Sequence, residues 1–91
     1  MRLRFSPRAY ADIADIYNYI EQHNPRAAAA VVAQIRLTSL LLARYPALGR
    51  ETDIPVFACY PYLVYHKVEQ EDLVVIHVRH GRRDTATEDE L

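Results

Sequence analysis

The run His80-Gly81-Arg82-Arg83-Asp84 is the densest group of side chains in the sequence that could do chemistry. An imidazole there can transfer protons near neutral pH. Two guanidinium groups beside it can hold phosphates or stabilise a charged transition state. Such a group suits RNA cleavage, in which a ribose hydroxyl attacks the adjacent phosphate. The same five residues also read as a solvated turn with Asp84 paired to an arginine, and spacing leaves both readings open. Arg50, in the turn Leu48-Gly49-Arg50, is a fourth member if that turn comes near the run, and otherwise an ordinary exposed residue.

The seven tyrosines are the other chemical feature. A phenol suits positions that are half apolar and half wet, including interfaces and stacking platforms. Tyr17 and Tyr45 fall on apolar stripes and read as core residues, whereas Tyr60, Tyr62 and Tyr65 are available to a partner or nucleotide. His23, His66 and His77 are scattered, and His77 and His80 fall on opposite strand faces. There is no histidine pair at helical metal spacing, no paired-cysteine motif and no glycine-rich phosphate loop, so neither a metal nor a cofactor is expected. The single cysteine, Cys59, excludes an internal disulfide and reads as a small buried apolar residue.

Ninety-one residues suffice for one domain and not for two. An apolar fraction of 51% with two glycines is a globular composition. No apolar run approaches the ~18 residues that cross a bilayer, so no membrane is expected. Met1 leads directly into the charged Arg2-Leu3-Arg4-Phe5, which predicts no signal peptide and a cytoplasmic protein. The net charge is −1, and setting aside Glu88, Asp89 and Glu90 of the tail leaves +2. Ten of the eleven basic residues are arginine. Arginine forks onto carboxylates and phosphates and stacks on rings, which suits a binding surface, but a protein that coats a duplex is far more basic.

The elements that must position these residues are legible. Arg2-Leu3-Arg4-Phe5 alternates as a short half-buried strand does. Ser6-Pro7 gives an N-cap followed by proline at the first helical position. Ala9, Ile13, Ile16, Tyr17 and Ile20 then recur at helical spacing, with Asp12, Asp15 and Glu21 turned elsewhere. Asn24-Pro25 ends this helix by starting the next, because proline bars helical angles in the residue before it. The second helix is predicted over 25–45, with Ala28, Val31, Val32, Ile35, Ser39, Leu42 and Tyr45 on one stripe. Leu37, Leu40 and Leu41 widen that stripe. A connection this short makes the helices antiparallel neighbours. Strands are expected over 56–60, 62–68 and 73–80, with Glu69-Gln70-Glu71-Asp72 as a polar hairpin loop and Pro61 marking an edge or bend. Strict alternation places Val74, Ile76 and Val78 on the helix-covered face, and Leu73, Val75, His77 and Arg79 on the other. The fold class is therefore α+β: an N-terminal strand, an antiparallel helical hairpin, then a three-stranded antiparallel β-meander in one small sheet. One domain spans 1–84, and 85–91 form an acidic tail.

This ordered series resembles the RelE/ParE superfamily of toxins from type II toxin–antitoxin pairs, and is most similar to its ParE branch. The carriers are Phe5-Ser6-Pro7-Arg8-Ala9, the run Asp12-Ile13-Ala14-Asp15-Ile16-Tyr17-Asn18-Tyr19-Ile20 and Asn24-Pro25-Arg26-Ala27-Ala28. Leu41 through Pro46 to Gly49-Arg50, Pro61-Tyr62-Leu63-Val64-Tyr65 and Val78-Arg79-His80-Gly81-Arg82-Arg83-Asp84 complete the set. The resemblance implies the same strand, hairpin and sheet, and a small protein that arrests growth when free and is neutralised by a cognate antitoxin in a hetero-oligomer, as in plasmid stabilisation. ParE-like members are associated with poisoning DNA gyrase, and RelE-like members with cutting mRNA on the ribosome.

On the gyrase reading His80, Arg82 and Arg83 bind the target without catalysis; on the ribonuclease reading those three and Arg50 are the catalytic candidates. An inactive antitoxin-binding relative is a third reading. Members often carry a basic residue on the strand before the Pro-Tyr pair, where this chain reads Ile54-Pro55-Val56-Phe57-Ala58-Cys59. That departure and the low net charge favour gyrase over entry among rRNA phosphates. The expected antitoxin surface comprises Leu37 and Leu41 on the second helix and the sheet face with Leu73 and Val75.

Overall fold

The structure, a computed structural model, describes residues 1–45, 56–59 and 61–81. Its elements run β1 (Arg2–Phe5), α1 (Pro7–Glu21), α2 (Pro25–Arg44), β2 (Val56–Cys59), β3 (Tyr62–Glu69) and β4 (Asp72–His80). The four strands form one sheet in the order β1-β4-β3-β2. The β2-β3-β4 meander is antiparallel, while β1 joins β4 in parallel, so the sheet is mixed. The acidic tail lies outside the described residues.

Both helices start as their sequences dictate. The Ser6 hydroxyl accepts from Ala9 N–H at 3.1 Å and the Asn24 carboxamide from Ala27 N–H at 3.1 Å, each with proline in the first turn. Residues 22–24 turn α2 back onto α1, and Ala28 in the first turn of α2 is fully buried. The helix ends at Arg44, one residue before the expected Tyr45, which is instead a half-exposed cap. At 20 residues and a mean hydropathy of 1.4, α2 is long and apolar enough to cross a membrane by length and composition, contrary to the expectation drawn from apolar runs. Here it serves as a core helix, pressing Ile35, Leu42 and Ala43 against the sheet.

The two-residue turn at Gln70 and Glu71 is tighter than the loop expected over 69–72. Both residues adopt positive φ, 50° and 72°, as a two-residue hairpin with this handedness requires. The flanking charges brace it. Arg4 reaches Glu69 at 3.0 Å and Asp72 at 2.9 Å, Arg2 reaches Asp72 at 3.0 Å, and Lys67 reaches Glu69 at 3.0 Å. Arg2, and then Arg4, hold the Asp72 carboxyl below its usual range; Lys67, and then Arg4, do the same for Glu69.

The face assignment of β4 needs correction. Tyr65 pairs with His77, but the next residue, His66, pairs with Val75, so Ile76 is an extra residue in β4. This β-bulge reverses the alternation at its own position. Val78, opposite Val64, therefore shares the helix-covered face with Leu73 and Val75, not with Val74 and Ile76. Leu73 and Val75 are 0% exposed and belong to the core with Ala9, Ile35 and Leu42. They are not the uncovered sheet surface expected for an antitoxin. Val74 lies on the opposite face, beside Arg4 and Lys67 in the register.

Candidate target-binding site

The site grows out of a mismatch in length. β1 pairs only with residues 72–75 of β4, so the outer edge of β4 loses its strand neighbour halfway along. Its backbone still needs partners, and the start of α1 supplies them. Ser6 N–H donates to Val75 C=O at 2.9 Å, and its hydroxyl donates to Ile76 C=O at 3.0 Å, on the two carbonyls at the bulge. Nearly two turns further on, the Asp12 carboxylate accepts Val78 N–H at 3.0 Å and lies 2.6 Å from His77 Nδ1. Ser6 and Asp12 thus continue the ladder that β1 leaves unfinished.

Asp12 also fixes a tautomer. A carboxylate oxygen shared with Val78 N–H takes the Nδ1–H of His77 and leaves Nε2 on the far side of the ring. The imidazole is held from a second direction by Tyr65, its cross-strand partner, with ring centroids 5.4 Å apart. Arg79 lies over the same tyrosine, its guanidinium carbon 5.1 Å from the ring centre. His80 meets Tyr62 edge-on at 5.2 Å, again as cross-strand partners. The exit of β4 is pinned by Gly81, whose N–H donates to Pro61 C=O at 2.8 Å. A Cβ at Gly81 would lie 3.2 Å from that oxygen and 3.1 Å from Leu63 Cδ1, so a glycine suits this close approach.

Between α1 and this end of β4 lies a pocket of about 550 Å³. Arg8, Asp12, Asp15 and Tyr19 form its helical wall, and His77 and His80 its strand wall. Among the described residues of its walls, Arg8 and Arg79 are offset by Asp12 and Asp15. A second, apolar groove of about 460 Å³ lies between β1 and the hairpin, lined by Leu3, Phe5, Ile13, Val32 and Leu40 with Arg36 at its rim.

Of the residues singled out in the sequence, His80 is in the pocket wall. Arg50, Arg82 and Arg83 lie outside the described residues. Leu37 and Leu41 are 49% and 42% exposed, with Leu40 between them at 47%. Tyr62 is buried beside His80, and Tyr65 is half-buried between His77 and the overlying Arg79. The sequence reading missed Arg8, Asp12, Asp15 and His77. Asp12 and His77 are 65 positions apart, and no local spacing connects them. Among the described residues no group of three or more potential ligands could hold a metal ion.

A small α+β domain with a helical hairpin over one four-stranded sheet is the fold that the resemblance to the RelE/ParE toxins implied. The chain belongs to the ParE toxin family, "ParE toxin of type II toxin-antitoxin system, parDE", whose family model matches residues 3–85. It is 36% identical over 87 residues to Y4kP of Sinorhizobium fredii, a protein with a provisional toxin designation, covering 90% of each chain. Its fold matches a chain of the chromosomal ParDE toxin–antitoxin system from P. aeruginosa with a TM-score of 0.73. That match spans 88% of this chain and 95% of the other at 18% identity.

Proposed function

We propose that this ParE-family toxin arrests growth in the cytoplasm by binding DNA gyrase at the exit of β4, and that a cognate antitoxin neutralises it. The observation that carries the reading is the pocket at that exit, where among the described residues two arginines are offset by two aspartates. A wall of balanced charge suits a protein surface, whereas a site that must hold RNA phosphates concentrates cations. His80 lines it, Arg82 and Arg83 follow in the sequence, and these three are the target contacts in this reading.

The antitoxin surface in this reading is the outer face of α2. Leu37, Leu40 and Leu41 form an exposed apolar patch, and the helix carries Arg26, Arg36 and Arg44 with no acidic residue. An acidic amphipathic segment fits both features. One observation favours the ribonuclease alternative: Asp12 holds His77 as an activating carboxylate holds a general base. The experiment expresses the chain alone and with its neighbouring open reading frame, following supercoiling and mRNA decay in parallel. Growth arrest with lost supercoiling, relieved by the neighbour, supports the proposal. Arrest with mRNA cleavage and normal supercoiling overturns it.

A further inference from the structure

The α1–β4 pocket carries more than the strand exit it adjoins. Arg8 and Asp15 are seven residues apart on α1, two helical turns, so they project from one face about 10 Å apart at 1.5 Å per residue. Both are exposed, and neither makes an ion pair or a side-chain hydrogen bond among the described residues. Between them Asp12 is already engaged by His77 and Val78. Among the described residues the rim thus offers one unengaged cation and one unengaged anion at a fixed spacing, beside an Asp12 and His77 held by hydrogen bonds.

We propose that this pocket seats a segment of the toxin's protein target that carries both an acidic and a basic side chain, with Arg8 taking the acid and Asp15 the base. The proposal rests on the reading of this chain as a toxin that acts on a protein. A nucleic acid fits poorly, because phosphates drawn to Arg8 run along α1 into Asp15. A purely acidic or purely basic segment leaves one rim charge facing its own sign. The volume of about 550 Å³ admits several side chains, and Tyr19 and His80 give it aromatic walls, which favour a hot-spot contact. The pocket is separate from the exposed leucines of α2, so target and antitoxin use different faces of the hairpin.

The test is growth arrest by Arg8→Glu and Asp15→Lys at matched soluble levels, with Gln22→Lys, exposed in the connection between the helices and outside the pocket lining, as the control. Exposed side chains without partners can be exchanged with little effect on folding, so all three variants should melt with the parent. The expected result is at least tenfold weaker toxicity for Arg8→Glu and for Asp15→Lys, and none for the control. Both should still co-purify with the antitoxin. Parental toxicity in both pocket variants would overturn the proposal. Target binding by the parent should change little between 50 and 200 mM salt, whereas contact with 6–10 phosphates loses about 10³–10⁵ in affinity over that range. A loss of that size would also overturn it. Gyrase is scored separately. If the parent leaves supercoiling intact while the pocket variants lose toxicity, the gyrase reading fails and the pocket stands as the site for another protein.

Discussion

Asp12→Ala tests whether α1 completes the unfinished ladder of β4. The substitution removes the acceptor for Val78 N–H at 3.0 Å and for His77 Nδ1 at 2.6 Å. A hydrogen bond to a charged group contributes ~1.5–3 kcal/mol, and a buried donor left unmade costs ~1–3 kcal/mol. Val78 is 1% exposed, so water replaces its partner poorly. The Asp12 and His77 side chains retain 21% and 20% of their exposure, so water recovers part of the second bond. The expected loss is therefore about 2–4 kcal/mol, read as a lower urea midpoint at unchanged slope. Asp12→Asn keeps one carbonyl acceptor and should lose about half as much. In a double-mutant cycle with His77→Ala the pair should couple by about 1–2 kcal/mol. An Asp12→Ala chain within ~0.5 kcal/mol of the parent would refute the clamp.

Further outcomes follow from the same geometry. Leu73→Ala should cost ~2–5 kcal/mol by denaturation because its side chain is fully buried, and Ile76→Ala distinctly less, because the bulge leaves Ile76 half-buried. Gln70→Asn with Glu71→Gly should raise stability by ~1 kcal/mol in the same assay, since both positions hold positive φ without a residue suited to it. The Asp72 and Glu69 carboxyls are held below their usual range, so their contribution is complete above about pH 4–5 and is lost as pH falls through the lowered values. Arg4→Ala removes a shared cause, and its melting temperature should fall less steeply on acidification than that of the parent. Leu37→Asp with Leu41→Asp should abolish co-purification with the antitoxin and leave the melting temperature unchanged, as both side chains are exposed.

What was legible in the sequence was local. Ser6-Pro7 and Asn24-Pro25 state both helix starts within four residues, and their side chains make the expected bonds. The hairpin and the meander followed from periodicity and short connections. The face of β4 was not legible, because Leu73-Val74-Val75-Ile76 is apolar at every position and fits either phase of the alternation. A partner of the bulge lies 70 residues away, where the Ser6 hydroxyl donates to the carbonyl of the extra residue, Ile76. Asp12 looked like a solvent-facing helix residue for a related reason. Its role depends on β1 ending early and exposing Val78 N–H, a property of the sheet that no helical pattern encodes. His80 was found because its neighbours are dense in charge, but the opposing walls of its pocket come from residues 8–19.

The central claim is that this toxin binds a protein, gyrase, through the pocket beside the exit of β4. Adding the purified chain to purified gyrase and following supercoiling of a relaxed plasmid tests it most directly. The account predicts dose-dependent inhibition by the parent, at least tenfold weaker inhibition by Arg8→Glu and Asp15→Lys, and relief by the antitoxin. Full supercoiling at saturating parent chain, or equal inhibition by the parent and both pocket variants, would contradict it.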